Sequence, residues 1–269
     1  GSLRVDRVDE AAIGDALAPL WVPLHNTAKR LRQRIIAVVD FSKSKRWRDN
    51  GIDVATLNKR FPNLDTAVRH HSAMRAADVP GFIRELRQNR SVAEPVRLLL
   101  EFTMLTAVRS GEARGVTPRE IDMDRDAVWA IPAGRMKAGR EHRVPLTPRM
   151  LEIIHRMIEL RTTNNPDALL FPGKRPGKPY SDITLAAPLK AHGCTVHGMR
   201  ATFRTWAGEC TSYPREICEV ALAHSVGNRT EQAYQRGDLF NRRRELMEAW
   251  ERHCIGADNV LRLANGSAA

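Results

Sequence analysis

The 269-residue chain lacks the features that mark membrane, secreted and disulfide-bonded proteins. Its longest apolar stretch, residues 98–108, is interrupted by Glu101 and is too short to span a bilayer. It has no secretory signal pattern and no internal repeat. Its four cysteines include no CxxC pair, which favours structural thiols in a reducing cytosol. We therefore expect a cytoplasmic protein with no membrane partner. Gly1 and Ser2 are typical of a cloning remnant, so we expect the natural N-terminus to lie elsewhere.

A surplus of basic residues runs through the whole chain. There are 43 Lys and Arg against 31 Asp and Glu, a formal net charge of +12. Residues 1–80 carry 14 basic and 9 acidic residues and the remainder carries 29 and 22, so the two parts carry +5 and +7. A nucleic acid contacted by both parts explains this distribution. Basicity alone also fits an anionic membrane surface or simple solubility.

Helical periodicity dominates the first part of the chain. Residues 27–41 form a basic amphipathic pattern, although locally a solvated charged face explains it equally well. Its basic residues are Lys29, Arg30, Arg32 and Arg34. Residues 72–81 have no periodicity and contain Pro80-Gly81, which predicts a linker between two domains. A short helix over residues 82–88 is expected to follow.

The second part combines further helices with one hairpin. A capping-box pattern at Ser91 and Glu94 predicts a helix that continues to residue 108. Two strands, 127–131 and 143–146, enclose a polar loop. Further helices are predicted after Thr147-Pro148, Ser181-Asp182 and Tyr213-Pro214, and over residues 241–254, before a flexible tail at 256–269. The predicted fold is mainly α with a small antiparallel β-sheet.

Four motifs supply groups that can cleave a phosphodiester without a metal. Such a reaction needs a nucleophile, cations on the non-bridging oxygens, an acid for the leaving oxygen and a base. The motifs contain no carboxylate pair at metal-ligand spacing, so no metal or other cofactor is expected. The candidate residues are Arg109, Lys137, His197 and Arg200 in HGMR, and His224 with Tyr234 ten residues later. Taken singly, each motif also fits a structural role, such as a helix cap or a solvated loop lysine.

In this order the motifs resemble those of the tyrosine recombinases, over nearly the whole chain. The likeness is greatest to the integrases of satellite phages and genomic islands. It is carried by the stretches IPAGRMKAGREHRVPLT, HGMRATFRTWAGE and ALAHSVGNRTEQAYQR. The ten-residue step from His224 to Tyr234 is one longer than in the commonest recombinases, and it agrees with the GN insertion of this subgroup.

The resemblance implies an integrase that cleaves and rejoins duplex DNA through a 3′-phosphotyrosine, without metal or ATP. Arg109 and Arg200 would clamp the non-bridging oxygens of the scissile phosphate, a bidentate task that suits guanidinium groups. Lys137, on its hairpin in the minor groove, would protonate the leaving 5′ oxygen. Glu112 would orient a neighbouring basic group, and a plain surface salt bridge explains its position equally well.

The remaining roles follow from the same resemblance. His197 would act as general base or proton relay. His224 would donate a hydrogen bond to the phosphate. Tyr234 would be the nucleophile, and the phosphotyrosine would conserve the energy of the broken bond.

The resemblance also implies an organisation and a set of partners. Residues 1–76 would form a helical core-binding domain without its usual start, and residues 77–255 the catalytic domain. The partners would be double-stranded DNA attachment sites, three further copies in a homotetramer on paired sites, and DNA-bending or directionality factors. The free protein would be a monomer, in the bacterial cytoplasm and associated with the nucleoid. In relatives the segment after the tyrosine packs on a neighbouring subunit, so the stripe of Leu246, Trp250 and Cys254 is expected there; packing on its own domain is the alternative.

Other functions fit parts of the pattern. A type IB topoisomerase uses the same covalent chemistry but relaxes supercoils as a monomer. A non-catalytic DNA-binding regulator explains the charge and the helices without requiring the ordered site residues. A helical scaffold with no nucleic-acid role leaves the basic surplus unexplained.

Overall fold

Most of the chain is helical, and the computed structural model describes residues 3–64, 72–224 and 238–257. It divides the chain into two units, Gly1–Arg69 and His70–Ala269. Within the described residues, no helix is both long and apolar enough to cross a membrane. Tyr234 and nearly all of the predicted tail lie outside the described residues.

The first unit is a small helical bundle. Its helices are α1 (Glu10–Trp21), α2 (His25–Ser44) and α3 (Val54–Lys59). Its core consists of Ile13, Leu17, Trp21, Ala28, Leu57 and Phe61. Trp21 stacks on Phe61 with ring centroids 3.9 Å apart. The predicted helix over residues 27–41 is confirmed as part of the longer α2.

In the second unit, helix α5 (Glu94–Thr106) lies in the interior, and the other helices and the sheet pack around it. The helices are α4 (Val79–Gln88), α5 (Glu94–Thr106), α6 (Ser110–Arg114), α7 (Pro148–Leu160), α8 (Asp182–Lys190), α9 (Val196–Glu209), α10 (Arg215–Ala221) and α11 (Phe240–Ile255). The strands are β1 (Ile121–Asp122), β2 (Val128–Ile131) and β3 (His142–Pro145), antiparallel in the order β1-β2-β3. Helix α5 is buried along its whole length after the first turn. The mainly α fold with a small antiparallel sheet is confirmed.

The predicted linker over residues 72–81 is wrong in its second half. Helix α4 already begins at Val79, with Pro80 in its first turn, where the missing amide hydrogen costs no helical bond. Met74 and Val79 are buried in the core of the second unit. Pro80 therefore starts a helix here rather than interrupting one.

The predicted capping box at the start of α5 is also wrong. The residue at the cap position is Ala93, and no side chain caps the helix. The Ser91 hydroxyl donates instead to the side chain of Asn89, and Glu94 pairs with Arg156. Ser91 and Glu94 have the spacing of a capping box, but neither side chain bonds to the backbone N–H groups at the start of the helix.

Helix α11 packs against its own unit. Leu246, Trp250 and Cys254 are fully buried, and Trp250 Nε1 donates to the Met104 carbonyl of α5 at 3.0 Å. The expected packing of this stripe on a neighbouring subunit is therefore wrong, and the alternative is confirmed. The reason is that α5 offers an apolar surface along its whole length, which α11 helps to cover.

The contact between α11 and α7 is polar as well as apolar. Glu251 accepts hydrogen bonds from the Thr147 hydroxyl and from the Arg149 backbone N–H. The start of α7 after Thr147 is confirmed, but the oxygen that caps it belongs to Glu251. A carboxylate at a helix N-terminus is favourable because it meets unpaired N–H groups and the positive end of the helix dipole.

Candidate active site

Arg200 connects the ends of two helices. It lies in the second turn of α9 and is 6% exposed. Its Nη1 donates to the Ala107 carbonyl at 2.5 Å, and its Nη2 donates to the Leu222 carbonyl at 2.7 Å. Ala107 follows α5 and Leu222 follows α10, so one guanidinium group fixes both chain segments relative to α9.

The other members of the HGMR motif differ in their surroundings. His197 lies in the first turn of α9 and is exposed. A side chain at Gly198 would place its Cβ 1.9 Å from the Ser72 carbonyl oxygen, which also accepts the Thr195 N–H. The glycine is therefore required by close backbone packing.

Arg109 lies close to Arg200 and is held by a buried carboxylate. Glu112, 5% exposed, accepts from Arg109 Nη1 at 2.9 Å and from the Arg109 backbone N–H at 2.8 Å. The alternative of a plain surface salt bridge for Glu112 is excluded by this burial. A structural role for Arg109 would be to cap the end of α5. The Ala107 carbonyl at that end already accepts a hydrogen bond from Arg200, so it does not need Arg109 as a donor.

The two arginines repel each other. Burial and, to a smaller extent, the positive charge of Arg109 lower the pKa of Arg200, Glu112 opposes the shift, and the resulting pKa is about 10. Arg200 therefore remains charged at neutral pH. An anion between them would relieve the repulsion and would accept hydrogen bonds from two planar guanidinium groups.

Two alanines next to this pair have left-handed backbone conformations. Ala107 has φ 52° and Ala223 has φ 51°, a region that costs a residue with a Cβ roughly 1 kcal/mol relative to glycine. Ala107 stands two residues before Arg109, and Ala223 immediately precedes His224. A strained backbone conformation persists only where the surrounding contacts hold it, and strained residues of this kind are common at functional sites.

His224 stands between Arg200 and a carboxylate. Its Nε2 lies 3.3 Å from Arg200 Nη2, and its Nδ1 lies 2.8 Å from Glu219 Oε2. An arginine has no acceptor, so this arrangement requires Arg200 to donate to Nε2 and Nδ1–H to donate to Glu219. Arg204 Nε also donates to Glu219, at 2.8 Å. Burial raises the pKa of Glu219, but the hydrogen bonds from Arg204 and His224 outweigh it and the pKa lies below its usual range.

Glu219 was not predicted as a site residue. Its position five residues before His224 could have indicated this role. Helix α10 ends between the two residues, and the chain after it brings the His224 ring back to the Glu219 carboxylate. Carboxylate partners of this kind fix which ring nitrogen carries the proton.

Lys137 lies in the loop between β2 and β3 and is exposed. The loop is anchored beside it. Met136 is buried, and Arg135 forms an ion pair with Glu120 and donates to the Glu112 carbonyl. The hairpin base is thus attached to the segment that holds Arg109, while Lys137 itself projects to the surface.

His142, at the start of β3, was also missed. It is 8% exposed, so its imidazole ring lies in the interior of the second unit. Burial, the largest cause, and the positive charges of Arg243, Arg200 and Arg109 together lower the pKa of His142 to about 4. The ring is therefore neutral throughout the physiological range.

Stability should depend on pH through His142. Its folded pKa of about 4 lies below the ordinary value of 6.5, so between these values only the unfolded chain binds the proton. The contribution of His142 to the free energy of unfolding is therefore fully present above pH 6.5 and is lost as the pH falls toward 4. At 1.36 kcal/mol per pKa unit, the loss amounts to roughly 3 kcal/mol. Urea unfolding of the wild type and of His142→Gln at pH 7 and 4.5 should show the stability difference narrowing by about 2 to 3 kcal/mol. A difference that stays constant with pH would contradict the burial of a neutral ring.

Of the six predicted residues, the structure brings Arg109, Arg200 and His224 together. Lys137 and His197 are placed on exposed turns, and Tyr234 lies outside the described residues. Within residues 3–64, 72–224 and 238–257, no group of three or more His, Cys, Asp or Glu is arranged to hold a metal ion.

Comparison by sequence relates the chain to integrases. The model of the phage integrase family matches residues 73–238. Prophage integrase IntA of Escherichia coli (strain K12) is 30% identical over 238 residues, which cover 87% of this chain and 55% of that protein. The integrase of Enterobacteria phage P4 is 28% identical over 247 residues, covering 84% of this chain and 54% of that protein. The chain thus spans about half the length of these relatives.

Comparison of structures gives the same fold. The Tn1549 transposon integrase, solved with circular intermediate DNA, aligns with a TM-score of 0.59 at 16% identity over 92% of this chain and 87% of that one. A lambda integrase dimer bound to a COC′ core site aligns with a TM-score of 0.57 at 15% identity, over 88% and 83% of the two chains. At such identities the likeness concerns the fold alone.

Proposed function

The chain belongs to the phage integrase family, and from this premise we propose that it is a site-specific DNA recombinase. It cleaves and rejoins duplex DNA to integrate or excise a mobile element. The observation that carries the proposal is the pairing of Arg200 and Arg109, two mutually repelling guanidinium groups beside His224. Such a pair suits a phosphate that acquires charge in its transition state.

The chemistry is a transfer of the phosphoryl group between two oxygens. The Tyr234 oxygen attacks the phosphorus as its proton passes to a base, for which His197 is our candidate. The bond to the 5′ oxygen breaks, and Lys137 supplies the proton that this oxygen takes. Arg109, Arg200 and His224 hydrogen-bond to the non-bridging oxygens. The product is a 3′-phosphotyrosine and a free 5′ hydroxyl, which reverses the reaction or joins another strand.

The first test is trapping on a nicked suicide substrate that carries the element's end. Cleavage releases a short fragment that diffuses away, so a covalent protein–DNA band should accumulate, with EDTA present as well as without it. A requirement for Mg²⁺ would place the reaction in another class.

The arginine pair should be needed for the rate of cleavage. Arg109→Ala and Arg200→Ala should each lower the single-turnover rate by at least about 10²-fold, the scale of losing one transition-state donor. Lysine at either position should recover little, because a point charge cannot make paired contacts. Near wild-type rates for either alanine variant would remove the clamp assignment.

Stability separates the two positions. Arg200→Ala leaves the buried carbonyls of Ala107 and Leu222 without a donor, at roughly 1 to 3 kcal/mol each. Arg109→Ala removes a partly exposed side chain, and Glu112 loses its ion pair but keeps the hydrogen bond from the backbone N–H of residue 109. We therefore expect Arg109→Ala to lower the melting temperature less than Arg200→Ala does. A loss of cleavage rate in Arg109→Ala then reports on catalysis rather than on folding.

We further propose that residues 1–76 act as the core-binding domain and residues 77–255 as the catalytic domain. The partners are double-stranded attachment sites and, on paired sites, three further copies of the chain. The free protein is a monomer in the bacterial cytoplasm, and accessory bending or directionality factors assist it. Its relatives' structures in complex with DNA support a DNA partner.

Binding to DNA should weaken steeply with salt. Each phosphate contact contributes about −0.9 to the slope of log K against log salt concentration on B-DNA. In α2, Lys29, Arg30 and Arg34 are exposed, whereas Arg32 donates to the Asn58 side chain. The variants Lys29→Gln and Arg30→Gln should each reduce the slope by about 0.9. Arg32→Gln is the matched control and should leave the slope unchanged; a flat wild-type salt dependence would exclude an electrostatic grip.

A further inference from the structure

Arg135 joins the loop of Lys137 to the segment that carries Arg109, and the proposed chemistry gives it no role. It stands two residues before Lys137, and its side chain is 25% exposed. Its Nη2 donates to the Glu112 backbone carbonyl, and its Nη1 donates to the Glu120 carboxylate. Glu112 is also the residue whose side chain holds Arg109. Arg109 and Lys137 are therefore connected through two side chains and a short piece of backbone.

The Glu120 carboxylate is held in place at the other end of this connection. Its side chain is 10% exposed, and it also accepts from Trp129 Nε1 at 2.9 Å. Trp129 is fully buried in β2, so the core of the second unit fixes its position. A planar guanidinium group can donate to a carboxylate and to a carbonyl at once, whereas an ammonium group is a single point charge. Arg135 thus binds two groups whose places are set by the fold.

The backbone between Arg135 and Lys137 is itself held by hydrogen bonds. The Met136 N–H donates to the Ala133 carbonyl at 3.1 Å, and the Met136 carbonyl accepts from the Gly139 N–H at 3.0 Å. The Met136 side chain between these two turns is buried. Because only this one residue separates Arg135 from Lys137, a displacement of Arg135 is passed on to the lysine.

Gly115 leaves the space in which the Arg135 guanidinium group lies. A Cβ at residue 115 would come 2.7 Å from Arg135 Nη2, which is closer than two such atoms can approach. Gly115 follows α6 with φ −98°, so an alanine there would not carry the strain of a positive φ. Gly115→Ala therefore displaces the guanidinium group without removing any hydrogen-bonding group.

We infer that Arg135 is a positioning residue that holds Lys137 within reach of the leaving 5′ oxygen, at a fixed place relative to Arg109. The inference rests on the proposed function, in which Lys137 protonates that oxygen. A proton donor displaced by about 1 Å can cost on the order of 10²-fold in rate. DNA binding should change little, because Arg109 and Arg200 keep their own contacts.

The test compares Arg135→Met, which keeps an apolar stem and lacks the guanidinium group, with the wild type on two nicked substrates. One has the ordinary 5′ oxygen at the scissile bond, and the other has a bridging 5′ sulfur, which leaves as a thiolate without needing a proton. Arg135→Met should bind DNA within about 3-fold of the wild type and should cleave the oxygen substrate at least about 30-fold more slowly. On the sulfur substrate its defect should nearly disappear, as should that of Lys137→Ala. Arg109→Ala should remain impaired on both substrates.

Three further variants separate positioning from folding. Arg135→Lys keeps a positive charge beside Glu120 but cannot bridge both groups, so it should recover melting temperature while most of its rate defect on the oxygen substrate remains. Gly115→Ala should slow cleavage of the oxygen substrate and leave that of the sulfur substrate unchanged. Val144→Ala creates a cavity in β3, at a residue 2% exposed, and should lower the melting temperature without slowing cleavage of the folded protein.

The outcomes are distinct. Wild-type cleavage of the oxygen substrate by Arg135→Met, Arg135→Lys or Gly115→Ala would overturn the positioning role. An equal loss on both substrates would do so too, because it would assign the effect of Arg135 to the arginine pair. An equal rate loss in Val144→Ala would show that destabilisation alone explains the defect. If the wild type itself forms no adduct on either substrate, the proposed function fails instead.

Discussion

Tyr234→Phe should bind DNA as tightly as the wild type and form no covalent adduct. Only one oxygen is removed, and it is the atom that attacks the phosphorus. Electrophoretic mobility shifts should give the same affinity, while denaturing gels of suicide-substrate reactions should lack the protein–DNA band entirely. Because Tyr234 lies outside the described residues, this prediction depends on its place ten residues after His224.

The chain offers two matched controls, since it has only three tyrosines. Tyr180 and Tyr213 are half-buried, and burial raises the pKa of each hydroxyl, which makes deprotonation harder. The negative charges of Glu245 and Glu248 in α11 also raise the pKa of Tyr213, and the positive charge of Arg252 opposes them. Tyr180→Phe and Tyr213→Phe should therefore keep the adduct band. An adduct that persists in Tyr234→Phe and disappears in one of the others would move the nucleophile to that residue.

Deleting every residue after Asn241 should prevent the second unit from folding. The deletion removes Leu246, Met247, Trp250 and Cys254, all of which are buried. Loss of one buried tryptophan typically costs about 3 to 5 kcal/mol, against a total stability of roughly 5 to 15 kcal/mol for a domain. The deletion also removes the Glu251 carboxylate from the start of α7. Circular dichroism should show lost helix content and no cooperative melting transition.

A shorter deletion supplies the control. Ending the chain after Ala257 keeps α11 complete, so the unit should fold and melt as the wild type does. A chain ending at Asn241 that folded normally and failed only in assembly on DNA would show that α11 belongs to a neighbouring subunit. That result would contradict the packing of Trp250 on α5.

The helices were predictable because each one leaves a periodic trace in a short stretch of sequence. The starts after Ser181 and Pro214 are confirmed, and the Ser181 side chain accepts from the Thr184 N–H as a cap should. The errors occurred where a residue's partner was distant in sequence. Ser91 and Glu94 match a capping pattern, yet Glu94 pairs with Arg156, 62 residues away.

The site was predictable in part, for a related reason. Six candidate residues follow from their types and their order along the chain. His142 was missed because a histidine in a strand has no local feature that separates a buried ring from an exposed one. Glu219 was missed because a carboxylate on a helix usually faces solvent, and here it accepts from both Arg204 and His224.

By itself, the sequence determined the helical character of the chain, its basic charge and the order of its chemical groups. These are properties of neighbouring residues and of composition, and they do not depend on how the chain closes. Only the tertiary structure decided that Arg200 joins the ends of α5 and α10, and that α11 returns to its own core. The bond from Arg200 to Ala107 spans 93 residues and that from Trp250 to Met104 spans 146. Contacts over such separations arise from the packing of the whole unit, and no local pattern specifies them.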